Sequence, residues 1–104
     1  MTTKSKSEAK RFLESVRGGP LTFGRMLESI RKADGLSQAE LARKLRISRA
    51  HLCDIEKGRR KITPERAVRF ADILGYSVRQ FVALVLEDEL RDAGLNLKVQ
   101  LEAA

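Results

Sequence analysis

The chain has 104 residues, 42% hydrophobic and 34% charged, which suits one folded domain and excludes either two separate cores or a mainly disordered chain. Its longest apolar run is the six residues Phe81 to Leu86, against the roughly 20 of a membrane span. With one cysteine, no signal-type apolar stretch after the first residues and a net charge of +7, a soluble, cytoplasmic protein with a polyanionic partner and no internal disulfide is expected.

In chain order, Ala9, Phe12, Leu13 and Val16 lie at helical spacing within residues 7–17, and Gly18-Gly19-Pro20 ends that segment. Residues 1–20 therefore read as an arm with a short helix. Thr22 is placed to cap a helix that carries Phe23, Met26, Leu27 and Ile30 on one face and ends near Asp34-Gly35. Ser37-Gln38-Ala39-Glu40 has the spacing of a capping box, opening a helix that buries Leu41, Ala42 and Leu45. Arg46-Ile47 forms a two-residue turn. Ser48 then caps a helix with Leu52 and Ile55 inward, which Gly58 terminates.

Thr63-Pro64 supplies an N-cap followed by proline at the first helical position, where its missing amide costs nothing. That helix buries Ala67, Phe70, Ala71 and Leu74 and stops at Gly75. Ser77 to Gln80 reads as a second capping box, opening a helix that runs to Ala93-Gly94. After it the period changes. Leu95, Leu97, Val99 and Leu101 alternate with Asn96, Lys98, Gln100 and Glu102, the pattern of a half-buried strand.

Charge is unevenly spread over these elements. Residues 1–61 hold sixteen Lys/Arg against seven Asp/Glu, whereas residues 62–104 hold five against seven. Counterion release rewards each phosphate such a basic half neutralises, so nucleic acid is the leading polyanion. A membrane surface fits less well, because no Lys-rich helix also exposes a face of large apolar residues. Two short helices joined by a tight turn cross steeply and need a small residue at their contact, the place of Ala42. Arg49, Ala50, His51, Asp54 and Lys57 then point outward from the second helix, where side chains can reach base edges in a major groove.

Catalytic and metal chemistry find no support. His51 and Cys53 are two residues apart on one helix and face different directions. No second histidine exists, no glycine run has phosphate-loop spacing, and Glu87-Asp88-Glu89 lacks a loop to wrap an ion. No cofactor is implied, and Cys53 reads as a small packing residue.

The run Leu36-Ser37-Gln38-Ala39-Glu40-Leu41-Ala42, then Ile47-Ser48, then Ile55-Glu56-Lys57-Gly58, resembles the Cro/lambda-repressor (XRE-type) helix-turn-helix family. The resemblance spans about residues 21–75 and implies a mainly α, five-helix DNA-binding domain. It implies base contacts from Arg49, Ala50 and His51, with Arg60 near a base-reading position. Lys57, Arg59 and Lys61 fall in the family's backbone-contacting loop. Gln38 is expected to bond a phosphate and buttress position 49, and Ser48 and Arg43 to face phosphates. Glu56 in this family is structural, pairing with a nearby arginine or backbone amide. Arg49 has the fork for guanine O6 and N7, and Ala50 admits a thymine methyl. Asp54 could accept from cytosine N4 or hold Arg49 in place. One departure is Arg46, at a turn position usually glycine, which must turn left-handed at a cost of ~1 kcal/mol.

Residues 76–104 read as a dimerisation segment. The run Phe81 to Leu86 is apolar around almost its whole circumference, so one face is expected on the domain and another on a partner. A lone strand leaves its backbone groups unpaired. Residues 95–101 are therefore expected to pair antiparallel with a second copy, with Phe81, Val85, Leu86, Leu95, Leu97, Val99 and Leu101 at the interface. The implied function is a homodimeric regulator of transcription, most simply a repressor on an inverted-repeat operator, encoded by a bacterium or phage. The alternative is an antitoxin that neutralises a toxin protein and represses its own operon, using the strand and the 1–20 arm to hold the toxin.

Overall fold

A computed structural model describes residues 19–104. Among these residues five helices follow one another: α1 (Phe23–Ala33), α2 (Gln38–Leu45), α3 (Arg49–Glu56), α4 (Pro64–Leu74) and α5 (Val78–Asp92). The arm helix expected over 7–17 lies outside the described residues.

Each helix begins where a side-chain oxygen can serve an orphan amide. The Thr22, Ser37, Ser48, Thr63 and Ser77 side chains accept from the amides of Arg25, Glu40, His51, Arg66 and Gln80. At Ser37 the box is complete, since the Glu40 carboxylate also accepts from the Ser37 amide at 2.9 Å. At Ser77 only the hydroxyl half forms, at 3.3 Å. Arg46 closes α2 with φ 60° and ψ 41°, the left-handed conformation its turn position demands. Gly75 and Gly94 do the same after α4 and α5, with φ of 75° and 82°.

The apolar stripes meet in one core. Phe70, Phe81, Leu27, Leu41, Leu52 and Ile55 are its largest fully buried side chains, and Phe23 packs edge-on against Phe81 with ring centroids 5.6 Å apart. Ile62, in the loop before α4, belongs to it as well. Leu74 and Ile47 are only partly buried at its margin. Ala42 is buried where α2 meets α3, but a tighter crossing lies elsewhere. A methyl group on Gly24 would overlap the Ile55 carbonyl oxygen and stand 2.9 Å from that of Glu56. α1 thus rests directly on the backbone at the end of α3, and only glycine permits that approach.

Two features of α5 and the tail after it differ from expectation. Phe81 and Val85 are 1% and 2% exposed; they fill the core of their own chain and are not available to a partner. The reason is that α5 packs against both α4 and α1, so more of its circumference is spent internally than a single contact face would take. Residues 95–101 form no strand, and among the described residues there is no β-ladder. Alternation alone provides no partner edge within the chain. The segment instead folds back on α5. The Leu95 amide donates to the Leu90 carbonyl at 2.8 Å, and the Val99 amide donates to the buried Glu87 carboxylate at 3.0 Å.

Candidate nucleic-acid interface

The turn Arg46–Ser48 places α3 with its first residues outward. Arg49 and Ala50 are exposed there, and His51 is half-buried. The Arg49 side chain makes no hydrogen bond or ion pair among the described residues. Below this helix start, Lys57, Gly58, Arg59, Arg60 and Lys61 form an exposed loop. Its path is held by α3, because the Arg59 and Arg60 amides donate to the Asp54 carbonyl at 2.8 and 3.2 Å.

Asp54 therefore anchors the loop. Its carboxylate accepts from Arg59 Nε at 3.0 Å, and Arg59 Nη2 also points at Cys53 Sγ, 3.9 Å away. The expected link from Asp54 to Arg49 does not form, since the loop arginine reaches the carboxylate instead. Lys61 pairs with Asp92 of α5, and this hydrogen bond holds its ammonium pKa above the ordinary value. Both pairs are solvent-exposed, with the Arg59 and Lys61 side chains 60% and 70% accessible. Water screens such pairs, so either cation can be given up to a phosphate. Arg43, on α2, is exposed on the surface.

The floor of the site is a buried ionic network. Glu56 ends α3 with its side chain 0% exposed. Arg31 of α1 grips it through Nε at 2.8 Å and Nη2 at 3.1 Å, and spends Nη1 on the Leu36 carbonyl at 3.2 Å. Gln38, the first residue of α2, donates Nε2 to Glu56 Oε1 at 3.1 Å. Gln38 thus reaches inward to the end of α3, and not along the surface to position 49. Three helices converge on one carboxylate, which fixes their relative angles. The structural role expected for Glu56 is present, with Arg31 as the arginine that sequence spacing could not name.

A second contact ties α3 to α4. Arg66 Nη1 lies 3.3 Å from His51 Nε2. Burial, followed by the charges of Arg60 and Arg66, holds the His51 pKa below the usual imidazole value, against the opposing pull of Asp54. Nothing in the sequence singles out Arg66. It lies fifteen positions away on another helix, with no periodic signal to connect the two. Behind the site, the Asp88 carboxylate of α5 accepts the Phe23 amide at 3.1 Å and Arg91 Nη1 at 3.1 Å. An acid at the start of α1 suits the positive end of that helix, although burial raises the Asp88 pKa overall. Among the described residues no cluster of His, Cys, Asp or Glu could hold a metal ion, and no helix is long and apolar enough to cross a membrane.

This arrangement has known counterparts. It is similar to the restriction-modification controller protein C.AhdI from Aeromonas hydrophila, at 30% identity and a TM-score of 0.51, over 57% of this chain and 86% of that one. It is also similar to an HTH_3 family transcriptional regulator from Vibrio cholerae, at 31% identity and 0.52, over 59% of this chain and 34% of that one. The clp gene regulator ClgR from Corynebacterium glutamicum aligns at 29% identity and 0.53, over 64% and 86%. No curated protein matches the chain. The family model for the helix-turn-helix, HTH_3, matches residues 27–81, the stretch that contains the turn, α3 and the Arg31–Glu56–Gln38 network. The chain belongs to the HTH_3 helix-turn-helix family.

Proposed function

We propose that the chain is a sequence-specific, duplex-DNA-binding transcriptional regulator, a repressor acting in the cytoplasm as a homodimer on an inverted-repeat operator. The observation that carries this reading is the start of α3: Arg49 and Ala50 stand exposed and unengaged above a loop with four cations in five residues. In this reading residues 21–75 bind DNA. Arg49 reads guanine, Ala50 meets a thymine methyl, and His51 and Arg60 lie close to base edges. Lys57, Arg59, Lys61, Arg43, Ser48 and the Gln38 end of α2 position the protein on phosphates. Selection from a random duplex library at two salt concentrations tests it. An inverted repeat with half-sites about one helical turn apart is the expected result. Arg49→Ala is expected to relax one symmetric position by about 1–3 kcal/mol. Steep salt dependence with no enriched sequence would overturn the reading.

The dimer rests on residues 76–104, and its support is the tail. Leu95 and Leu97 are 49% and 56% exposed, and Leu86, Val99 and Leu101 are partly so. Exposed apolar side chains on a segment outside any helix suit pairing with a second copy, which would have to replace the Leu95 and Val99 amide bonds to α5. Deleting residues 95–104 is expected to raise the dimer dissociation constant in sedimentation and to weaken operator binding. A truncated chain that stays a tight dimer would refute this arrangement. The same exposed leucines support the second reading, an antitoxin whose tail adds a strand to a toxin. Co-purification of a small partner protein that the truncated chain fails to retain would favour it.

A further inference from the structure

The one histidine of the chain sits on the third residue of α3, half-buried, with Arg66 Nη1 of α4 at its Nε2. A guanidinium has donors only, so the hydrogen bond exists only when Nε2 carries no proton. The ring must then be neutral with its hydrogen on Nδ1, and Nδ1 has no partner among the described residues. We infer that Arg66 is a specificity-positioning residue: its bond to Nε2 fixes the tautomer of His51, so that position 51 offers DNA one N–H donor, at Nδ1, and no acceptor. This rests on the DNA-reading function proposed above. It confines the choice at position 51 to acceptor edges, such as purine N7, guanine O6 or thymine O4, and disfavours the amino edges of cytosine and adenine.

The charges facing the ring make this choice depend on pH. Arg60 from the loop after α3 and Arg66 from α4 oppose a charge on the imidazole, and Asp54 of α3 favours one. Protonation places a second N–H at Nε2, head-on to Arg66 Nη1, so the bond is lost and two cations face each other. Below that point position 51 loses its fixed geometry while the chain gains a positive charge, so general affinity for DNA rises as discrimination falls. The sign for folding follows from the lowered pKa. The stabilisation from neutral His51 is fully present above the ordinary imidazole value of 6.5 and is lost as pH falls towards the depressed value.

Because His51 is the only histidine, its ring nitrogen and proton resonances can be read without ambiguity in the full chain. The expected spectrum at neutral pH is the Nδ1–H tautomer, titrating below the ordinary range. Arg66→Met, which keeps the stem of the side chain, should move the midpoint upward and admit the Nε2–H form, while Arg66→Lys, which keeps a donor, should restore part of the wild-type behaviour. In library selection Arg66→Met should lose preference at one symmetric base pair by about 5-fold or more. Lowering the pH should do the same to the wild type. An Nε2–H tautomer in the wild type, or a midpoint that Arg66→Met leaves in place, would overturn the pair. A uniform loss of affinity at every base position would overturn its specificity role. If neither protein selects a sequence but the titrations run as stated, the DNA-reading function and the specificity role fall while the pair stands.

Discussion

Glu56→Ala is expected to destabilise the fold by about 3–5 kcal/mol, read as a drop in the urea midpoint at unchanged slope. The substitution leaves Arg31, whose side chain is only 13% exposed, with its charge buried and two donors unsatisfied. It also strands the Gln38 amide. For a domain whose whole stability is about 5–15 kcal/mol, that is a large share. Desolvation leads to a second, opposite expectation for the pair. A double variant, Arg31→Met with Glu56→Leu, removes both charges together and should be less damaged than Glu56→Ala alone, because a buried ion pair gains little over apolar groups of similar volume. The outcome that would sink this account is a loss below about 1 kcal/mol for Glu56→Ala, the size of an exposed pair.

The contrast between what could and could not be read from the sequence follows the range of the interactions. Caps at Thr22, Ser37, Ser48, Thr63 and Ser77 and the left-handed Arg46 are local; each is set by a few neighbouring residues, and each is where its motif puts it. The helical stripes are periodic, so the core followed. Contacts between helices carry no such signature. Family likeness directs Gln38 to position 49, but the carboxylate eighteen residues on is the stronger acceptor. Helical spacing offers Asp54 only Arg49, but the loop folds back and brings Arg59 to its carboxylate. Phe81 and Val85 show the limit of periodicity, which marks a side chain as apolar without saying whether the burial is within one chain or between two. The alternating tail shows a related limit. A strand pattern describes side chains, and a strand needs a second backbone.

Gly24→Ala is expected to cost about 1–3 kcal/mol, and Gly24→Val more, although alanine is the better helix former. A glycine in the first turn of an amphipathic helix was the available signal, since propensity disfavours it there and only close approach explains it. The added methyl meets backbone carbonyls, Ile55 and Glu56, which cannot rotate aside as a side chain would. α1 must retreat from the end of α3, and Arg31 rides on α1 one and a half to two turns further along. The retreat therefore pulls the guanidinium away from Glu56. Gly24→Ala and Glu56→Ala should consequently fail to add, with a coupling of about 0.5–3 kcal/mol in a double-mutant cycle. Gly94→Ala is the control. Gly94, beyond α5 and away from Arg31 and Glu56, has a φ of 82° and open space around it, so its loss, about 1–2 kcal/mol of backbone strain, should add fully to that of Glu56→Ala. Strict additivity at Gly24 would mean that the helix crossing and the ionic network beneath α3 are set independently, and the geometric link between them would be wrong.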